Sequence, residues 1–265
     1  MTAKRAKSRY TAIIEKIFFS KYTKGDEEVA FEREDLVRAA KSLRIKLPKN
    51  LGDVIYSIRN RSQLPQRILK TQPRGKEWVI EGRGRSLYCF CLVTENRIVP
   101  NEQLAAIKIP DATPEIVLSY ALSDEQALLA KVRYNRLLDV FLGMAVYSLQ
   151  NHLRTTVHDL GQVEIDEIYV GIDKRRAQYV LPVQAKGGAD QLSVVQAKQD
   201  IACCEEKFSN LECRAISAQF ISADLIALFE LALDDGMVKI VEEKHYRLVP
   251  GDQITAEDLQ KYSRR

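Results

Sequence analysis

The sequence predicts a mixed α/β protein made of two domains, and three observations lead to this prediction. With 265 residues the chain exceeds the usual size of one small domain. Residues 1–95 carry helical apolar spacing and then two β-rich runs, whereas residues 123–265 alternate in the order α-β-β-β-α-β-α. Between them, residues 96–122 hold three spaced prolines, Pro100, Pro110 and Pro114, and are predicted to be a linker.

The first domain is predicted to hold two or three helices followed by a β-hairpin. Apolar residues at helical spacing mark residues 13–18, 36–43 and 51–58, and Pro48 can open the third helix. The polar residues around this third helix are Lys49, Asn50, Ser57, Arg59 and Arg61. The run EWVIEGRGRSLYCFCLV, residues 77–93, then predicts a hairpin with Arg83 and Arg85 at its tip.

A basic helix followed by a hairpin with a basic tip resembles a winged-helix domain. The resemblance implies that the third helix enters the major groove of DNA and that the hairpin touches the backbone or the minor groove. The DNA contacts it implies are Lys49, Asn50, Ser57, Arg59, Arg61, Arg83 and Arg85. A winged helix that serves only for packing or protein interaction is the alternative.

Charge is distributed unevenly along the chain. Residues 1–110 contain 23 Lys and Arg against 12 Asp and Glu, and the remaining residues contain 17 against 24. Clustered Lys and Arg supply the salt-dependent attraction to phosphates on which nucleic-acid binding rests. The asymmetry favours double-stranded DNA as a partner of the first part, and a basic solvated surface is the alternative.

The sequence carries no sign of a membrane or of a structural zinc site. No apolar run reaches the roughly 20 residues that span a bilayer, and the first residues lack the apolar stretch of a signal peptide. We therefore expect a cytoplasmic protein without a membrane partner. The five cysteines form no CxxC pair and the three histidines show no zinc-type spacing, so we expect reduced thiols and no zinc.

The second domain is predicted to begin with a capped helix. Ser123 and Gln126 match a capping box, and the apolar face continues from there to about Leu149. Strand-like runs follow at TTV, VEIDEIYVGI and QYVLPVQAK, then a helix over about 190–208 and a strand at CRAISAQFI. The stretch ADLIALFELAL is predicted as a helix, VKIVEEKHYRLVP as a strand pair, and a short capped helix follows Thr255.

This element order, with GQVEIDEIYVGIDKRRAQYVLPVQAKGG inside it, resembles the PD-(D/E)XK nuclease superfamily, to which most type II restriction endonucleases belong. The likeness covers about residues 120–220. Asp166 stands at the position of the motif's aspartate, and Gln184-Ala185-Lys186 stands at that of the (D/E)XK tripeptide. Gln184 departs from the family pattern, which usually has Asp or Glu there. The resemblance implies a restriction-endonuclease-like α-β-β-β-α-β core and DNA cleavage with Mg²⁺.

The residue types fit this chemistry independently of the family. Hydrolysis of a phosphodiester needs a hard cation, which carboxylates hold, and a lysine beside them can orient or help deprotonate the attacking water. We predict Asp166, Glu164 and Gln184 as metal ligands for one or two Mg²⁺ ions, and Lys186 as the residue that positions water. Accessory candidates are Glu125, Glu167 and Gln196.

Hairpin register decides whether these side chains meet. Strand side chains alternate, so Gln184 and Lys186 share a face, and Asp166 joins them only if it lies opposite Gln184. A two-residue turn at Arg175-Arg176 would place Asp166 opposite Ala185. A three-residue loop that pairs residues 173 and 177 places Asp166 opposite Gln184. We therefore predict an odd-length loop or a bulge.

The leading hypothesis is a site-specific double-strand DNA endonuclease of the restriction type. A homodimer is expected, because two equivalent sites match a two-fold target. Two alternatives stay open. One is a non-catalytic winged-helix DNA-binding regulator, and the other is a structure-specific nuclease of repair or junction resolution.

Overall fold

The computed structural model describes residues 9–60, 63–94, 96–188 and 190–263. Within these residues the fold is mixed α/β, with nine helices and eleven strands in two sheets. This confirms the predicted fold class. The chain divides into two compact units, Met1–Asn96 with His158–Gly161, and Arg97–Val157 with Gln162–Arg265.

The first unit packs helices on one face of a three-stranded antiparallel sheet. Its sheet has the order β1-β3-β2, and Val29, Phe31, Trp78, Ile80 and Phe90 from the strands form a buried core with the helices. Its elements are α1 (Arg9–Lys21), β1 (Glu28–Glu32), α2 (Arg33–Leu43), α3 (Gly52–Asn60), α4 (Gln66–Leu69), β2 (Glu77–Gly82) and β3 (Leu87–Val93).

The second unit is built around an eight-stranded sheet with the path β4-β11-β10-β9-β7-β6-β5, to which β8 adds beside β7. Its strands are β4 (Ala106–Pro110), β5 (Ala145–Val157), β6 (Gly161–Ile172), β7 (Gln178–Lys186), β8 (Glu212–Cys213), β9 (Ala215–Ser222), β10 (Leu225–Asp234) and β11 (Met237–Val249). Its helices are α5 (Glu115–Ser119), α6 (Asp124–Tyr134), α7 (Leu137–Leu142), α8 (Val194–Lys207) and α9 (Ala256–Ser263), with a 3-10 turn at Gly251–Gln253.

The helices of this unit are short. The longest, α8, has 14 residues, and no described helix has both the length and the apolar character needed to cross a membrane. Helices α6 and α7 cover one face of the sheet, where Leu128, Leu137 and Phe141 pack against Val183 and Ala185 of β7. Helix α8 connects β7 to β9, which pair in parallel.

The segment predicted as a linker holds regular structure. Within residues 96–122 lie β4, which pairs in parallel with β11, and helix α5. Ile98 is buried, and its N–H donates to the carbonyl of Leu192 over 2.9 Å. These backbone bonds join the segment to the second unit.

The long helix predicted from Ser123 to about Leu149 is wrong in its second half. The Ser123 hydroxyl does cap α6, since it accepts from the Gln126 N–H over 3.3 Å. Helix α6 ends at Tyr134, however, and Arg136 adopts a left-handed backbone with φ of 50°. Gly143, with φ of 65°, ends α7, and the apolar residues that follow belong to β5. The apolar pattern of the sequence continues across Arg136 and Gly143, although the left-handed backbone at each of these residues interrupts the helix.

The prediction of a helix at ADLIALFELAL is also wrong, because this stretch forms strand β10. Antiparallel β9 and β11 flank β10, and Ile226 to Leu231 are buried. A strand covered on both faces shows a continuous apolar run, which periodicity alone does not separate from a buried helix. The predicted strand pair at the end of the chain is likewise one long strand, β11.

The odd-length loop predicted between β6 and β7 is confirmed. The strands pair antiparallel from Ile172 with Gln178 to Glu167 with Val183, and the Asp173 N–H donates to the Ala177 carbonyl over 3.1 Å. Three residues, 174–176, form the loop, and Arg176 has a left-handed φ of 70°. This register extrapolates to Asp166 opposite Gln184.

The close approach of Gly187 to the start of α6 leads to a stability prediction. A Cβ at residue 187 would lie 2.4 Å from the Asp124 Cβ and 3.2 Å from its carbonyl carbon. We expect Gly187→Ala to lower the free energy of unfolding by about 1–3 kcal/mol, because backbone must move. Gly251→Ala is the control, since its Cβ would meet nothing within 4 Å. Urea unfolding that shows equal stability for both variants would contradict this packing.

Candidate active site

Strands β6 and β7 separate at the end that carries the predicted site. Their ladder runs no further than Glu167 and Val183. Beyond it, side chains take over the cross-strand hydrogen bonds. The Ala185 N–H donates to Asp166 Oδ2 over 2.8 Å, and Gln184 Nε2 donates to the Glu164 carbonyl over 2.9 Å. Asp166 and Gln184 thus hold the two strand ends together through side chains.

Gln184 and Lys186 face away from the core that α6 and α7 cover. Val183 and Ala185 belong to that core, and strand alternation puts their neighbours on the opposite face. Gln184 is buried there beside α8, and Lys186 is partly exposed. Burial raises the pKa of the Asp166 carboxyl, and the Lys186 ammonium lies near enough to counteract part of that rise. The structure therefore brings Asp166, Gln184 and Lys186 together.

Asp200 on α8 is a site residue that the sequence reasoning did not choose. It is only 2% exposed, and it accepts a hydrogen bond from Gln184 Nε2 over 3.3 Å. Burial raises its pKa well above the usual range, while Gln184 and Lys186 act in the opposite direction. The polar stripe of Gln196, Gln199 and Asp200 on this helix was the available signal, but a solvated face gives the same pattern.

Burial and several neighbouring groups act on the pKa of the Asp166 carboxyl. Burial is the largest influence and raises the pKa of its carboxyl, and the Glu125 carboxylate raises it further. The Ala185 N–H, Lys186 and His152 lower it. A partly buried carboxylate in this balance would gain from an additional cation.

Glu125 reaches this neighbourhood because α6 begins beside the end of β7. Gly187 lies against Asp124 and the backbone of Glu125 at the first turn of the helix. The missing side chain of Gly187 accommodates the first turn of α6. Glu125 thereby comes within electrostatic reach of Asp166.

Glu164 lies next to this group, but its carboxylate has partners on β5. Arg154 donates to both of its oxygens over 3.1 Å, and His152 Nε2 is 3.1 Å from Oε1. Its backbone carbonyl accepts from Gln184. A cation that used Glu164 would have to compete with Arg154.

Two further candidates lie away from Asp166. Glu167 is buried on the other face of β6, where its carboxylate binds Arg133 of α6 and the Tyr169 hydroxyl. This is the orientation expected for an unbulged strand. Gln196 lies in the first turn of α8, where its N–H donates to the Ser193 hydroxyl over 3.1 Å. The described contacts do not bring Glu167 or Gln196 into the group around Asp166.

The predicted DNA contacts belong to the first unit, and three of them already have intramolecular partners. Arg59 Nε donates to the Ile80 carbonyl over 2.6 Å, and Asn50 Nδ2 donates to Asp53 over 2.9 Å at the start of α3. Arg83 binds Glu28 over 2.7 Å. Lys49 and Arg85 are exposed and Ser57 is half-buried, whereas Arg61 lies outside the described residues.

The donor set around Asp166 fits a hard divalent cation. One Asp166 oxygen accepts a hydrogen bond from the Ala185 N–H, which leaves the other carboxylate oxygen to act as a metal ligand. The Gln184 amide nitrogen is directed at Glu164 and Asp200, so its oxygen is the atom that Gln184 can offer a cation. Carboxylate and amide oxygens are the ligands that Mg²⁺ and Ca²⁺ prefer.

Asp200 leads to a prediction about stability and pH. Its folded-state pKa is raised above the unfolded value near 3.8, so the folded protein holds this proton more tightly. The resulting stabilisation is present at low pH and is lost as pH rises through the folded pKa. In EDTA, Asp200→Asn should therefore gain stability relative to wild type between pH 4 and pH 8. Urea unfolding at both pH values measures this.

The exposed carboxylate of Asp252 provides the control. Asp252→Asn should differ from wild type by the same amount at the two pH values. If Asp200→Asn loses stability relative to wild type as pH rises, the Asp200 carboxyl is not held in its protonated form by burial.

Comparison with known proteins returned no match to any family model, curated protein or solved structure. The likeness to PD-(D/E)XK nucleases consequently depends on the sequence motif, and the arrangement of Asp166, Gln184 and Lys186 is the observation on which a function can be argued.

Proposed function

We propose that the protein is a Mg²⁺-dependent endonuclease that cuts double-stranded DNA at specific sites. The observation that carries the proposal is the convergence of Asp166, Gln184 and Lys186 where β6 and β7 separate. Because the backbone ladder ends at Glu167 and Val183, the carboxylate and amide oxygens of the next side chains lie at the strand ends. A lysine beside them provides a cationic group for the phosphate or its attacking water.

Each residue has a defined task in this proposal. Asp166 and the Gln184 oxygen would hold the cation, and Glu164 would join them on leaving Arg154. When bound, Mg²⁺ neutralises charge at the scissile phosphate and lowers the pKa of a bound water. Lys186 orients the attacking water and offsets the negative charge that develops on the phosphate. Asp200 keeps the Gln184 amide oriented through its hydrogen bond with Nε2.

The first unit would hold the DNA. Most of its excess positive charge comes from exposed lysines and arginines, among them Lys49 and Arg85. Such contacts are made chiefly to phosphates, so affinity should fall steeply with added salt. We further propose that two copies act together, since one active site per strand suits symmetric cleavage of both strands.

The direct test incubates unmethylated genomic or phage DNA with the protein in Mg²⁺ or in EDTA. We expect discrete fragments only with Mg²⁺. Lys186→Ala and Asp166→Asn should each lower the cleavage rate by at least about a hundredfold, because each removes a group that acts on the reacting phosphate. Gel electrophoresis of the products over time measures the rate.

Lys174→Ala is the matched control, because Lys174 is exposed in the β6–β7 loop. It should cut at the wild-type rate. Metal-independent DNA binding without cleavage of any substrate would overturn the enzyme and favour a DNA-binding regulator. Cleavage confined to branched or flapped DNA would favour a repair or junction nuclease.

Gln184 allows a test of the cation site that needs no DNA. In EDTA, Gln184→Glu should lower the free energy of unfolding by about 1–3 kcal/mol, because it removes the donor to Asp200 and Glu164 and adds a buried charge. Ca²⁺, which shares the oxygen ligands of Mg²⁺, should restore more stability to this variant than to wild type. Thermal unfolding measures the difference.

Gln178→Glu makes the same chemical change at an exposed position of β7. This control should unfold like wild type both in EDTA and in Ca²⁺. If Gln184→Glu keeps full stability in EDTA, the hydrogen bonds of Gln184 with Glu164 and Asp200 do not contribute to the free energy of unfolding. If Ca²⁺ has no effect on either protein, residue 184 is not a cation ligand.

A further inference from the structure

The first unit holds a second group of metal-ligating side chains, on the sheet face opposite its core. Tyr88, Phe90 and Leu92 of β3 pack with the helices, so Cys89 and Cys91 point to the other face. Strand β1 pairs with β3 so that Glu28 lies opposite Cys91. Two paired strands of one sheet, β1 and β3, therefore fix the relative positions of these side chains.

The ligand atoms are close enough to share one ion. The Cys89 Sγ, the Cys91 Sγ and a Glu28 carboxylate oxygen all lie within 4.8 Å of one another. In a tetrahedral zinc site with Zn–S bonds of about 2.3 Å, two sulfur ligands are about 3.8 Å apart. Small rotations of the side chains would bring the three atoms to such distances.

A cationic group already occupies this cluster. Arg83 Nη2 donates to Glu28 over 2.7 Å and to the Cys91 sulfur over 3.4 Å, and it lies 3.6 Å from a Glu81 oxygen. Glu81 is the partner of Cys89 on β2. Two carboxylates thus surround one guanidinium, which leaves the cluster with a negative charge that attracts further cations.

Cys91 is the thiol that contacts both exposed members of the cluster. Its Sγ accepts from Arg83 Nη2 over 3.4 Å and donates to Glu28 Oε1 over 3.9 Å. The thiolate is the form that binds metals. The thiols themselves are buried, at 3% and 6% exposure, while the Glu28 and Arg83 side chains are 62% and 50% exposed and offer a route inward.

We propose that Glu28, Cys89 and Cys91 form a binding site for a thiophilic divalent cation of the Zn²⁺ class. On binding, the two thiols release their protons to solvent and the Arg83 guanidinium leaves Glu28 and Cys91. Three protein ligands leave one coordination position for water. The site is independent of the proposed nuclease centre, whose oxygen ligands suit a hard cation.

The spacing of the cysteines along the chain does not predict this site. We expected no zinc because the cysteines lack CxxC or Cys/His spacing. Cys89 and Cys91 are two residues apart on a strand, and the third ligand lies 63 residues before Cys91 in the chain. Only the pairing of β1 with β3 brings Glu28 to them.

Cadmium is a suitable probe, because thiolate-to-cadmium charge transfer absorbs in the ultraviolet. The fully reduced, metal-free protein is to be titrated with Cd²⁺ while the absorbance of this band is followed. Cys91→Ser should lose the high-affinity band. Cys213→Ser, which removes a thiol on β8, should retain it. Competition by Zn²⁺ with a chromophoric chelator then gives the zinc affinity.

Two surface variants test the assignment without altering a buried thiol. Glu28→Gln should weaken Cd²⁺ binding by about tenfold or more, because it removes a ligand. Arg83→Gln should tighten binding, because the competing guanidinium is gone. If Arg83 only stabilised the arrangement of the site, Arg83→Gln would instead weaken Cd²⁺ binding.

Two results would overturn the proposal. One is the absence of a band at micromolar Cd²⁺ in the reduced wild-type protein. The other is a band that Cys91→Ser and Glu28→Gln leave unchanged, which would place the metal on Cys203, Cys204 or Cys213 instead. Neither result bears on DNA cleavage in Mg²⁺.

Discussion

The candidate site depends on two cross-strand hydrogen bonds, one that the Asp166 carboxylate accepts from Ala185 and one that the Gln184 amide donates to the Glu164 carbonyl. At the end of β6 and β7 the backbone ladder stops, and the Asp166 carboxylate and the Gln184 amide replace it. A buried N–H or carbonyl without a partner costs about 1–3 kcal/mol. The same two side chains therefore stabilise the separated strand ends and present oxygen atoms there. Substitution by Ala would mix these two effects, whereas Asp166→Asn keeps an acceptor for Ala185.

Hairpin register could be predicted from the sequence because it follows from parity. Side chains alternate along a strand, so the positions of Asp166, Gln184 and Lys186 allow only certain loop lengths if all three share a face. The observed three-residue loop satisfies that condition. The cap of α6 was equally local, since Ser123 and Gln126 are three residues apart.

Other features could not be predicted, because they depend on distant parts of the chain. Strand β10 has an apolar run that suits a helix or a strand, and only its neighbours β9 and β11 decide between them. The left-handed backbone of Arg136 interrupts an apolar pattern that the sequence continues. In the first unit, Arg59 suits a DNA contact by its position on α3, but it is directed at the Ile80 carbonyl. Whether a basic side chain is exposed depends on the tertiary structure.

Asp200 gives a physical reason for the glutamine at position 184. A carboxylate at 184 would place a second buried acidic group beside the Asp200 carboxyl and would leave the Glu164 carbonyl without the Nε2 donor. The amide donates to both. The site then contains two acidic groups near Lys186, Asp166 on β6 and Asp200 on α8, even though the tripeptide itself contributes none. Position 184 therefore has to be interpreted together with Asp200.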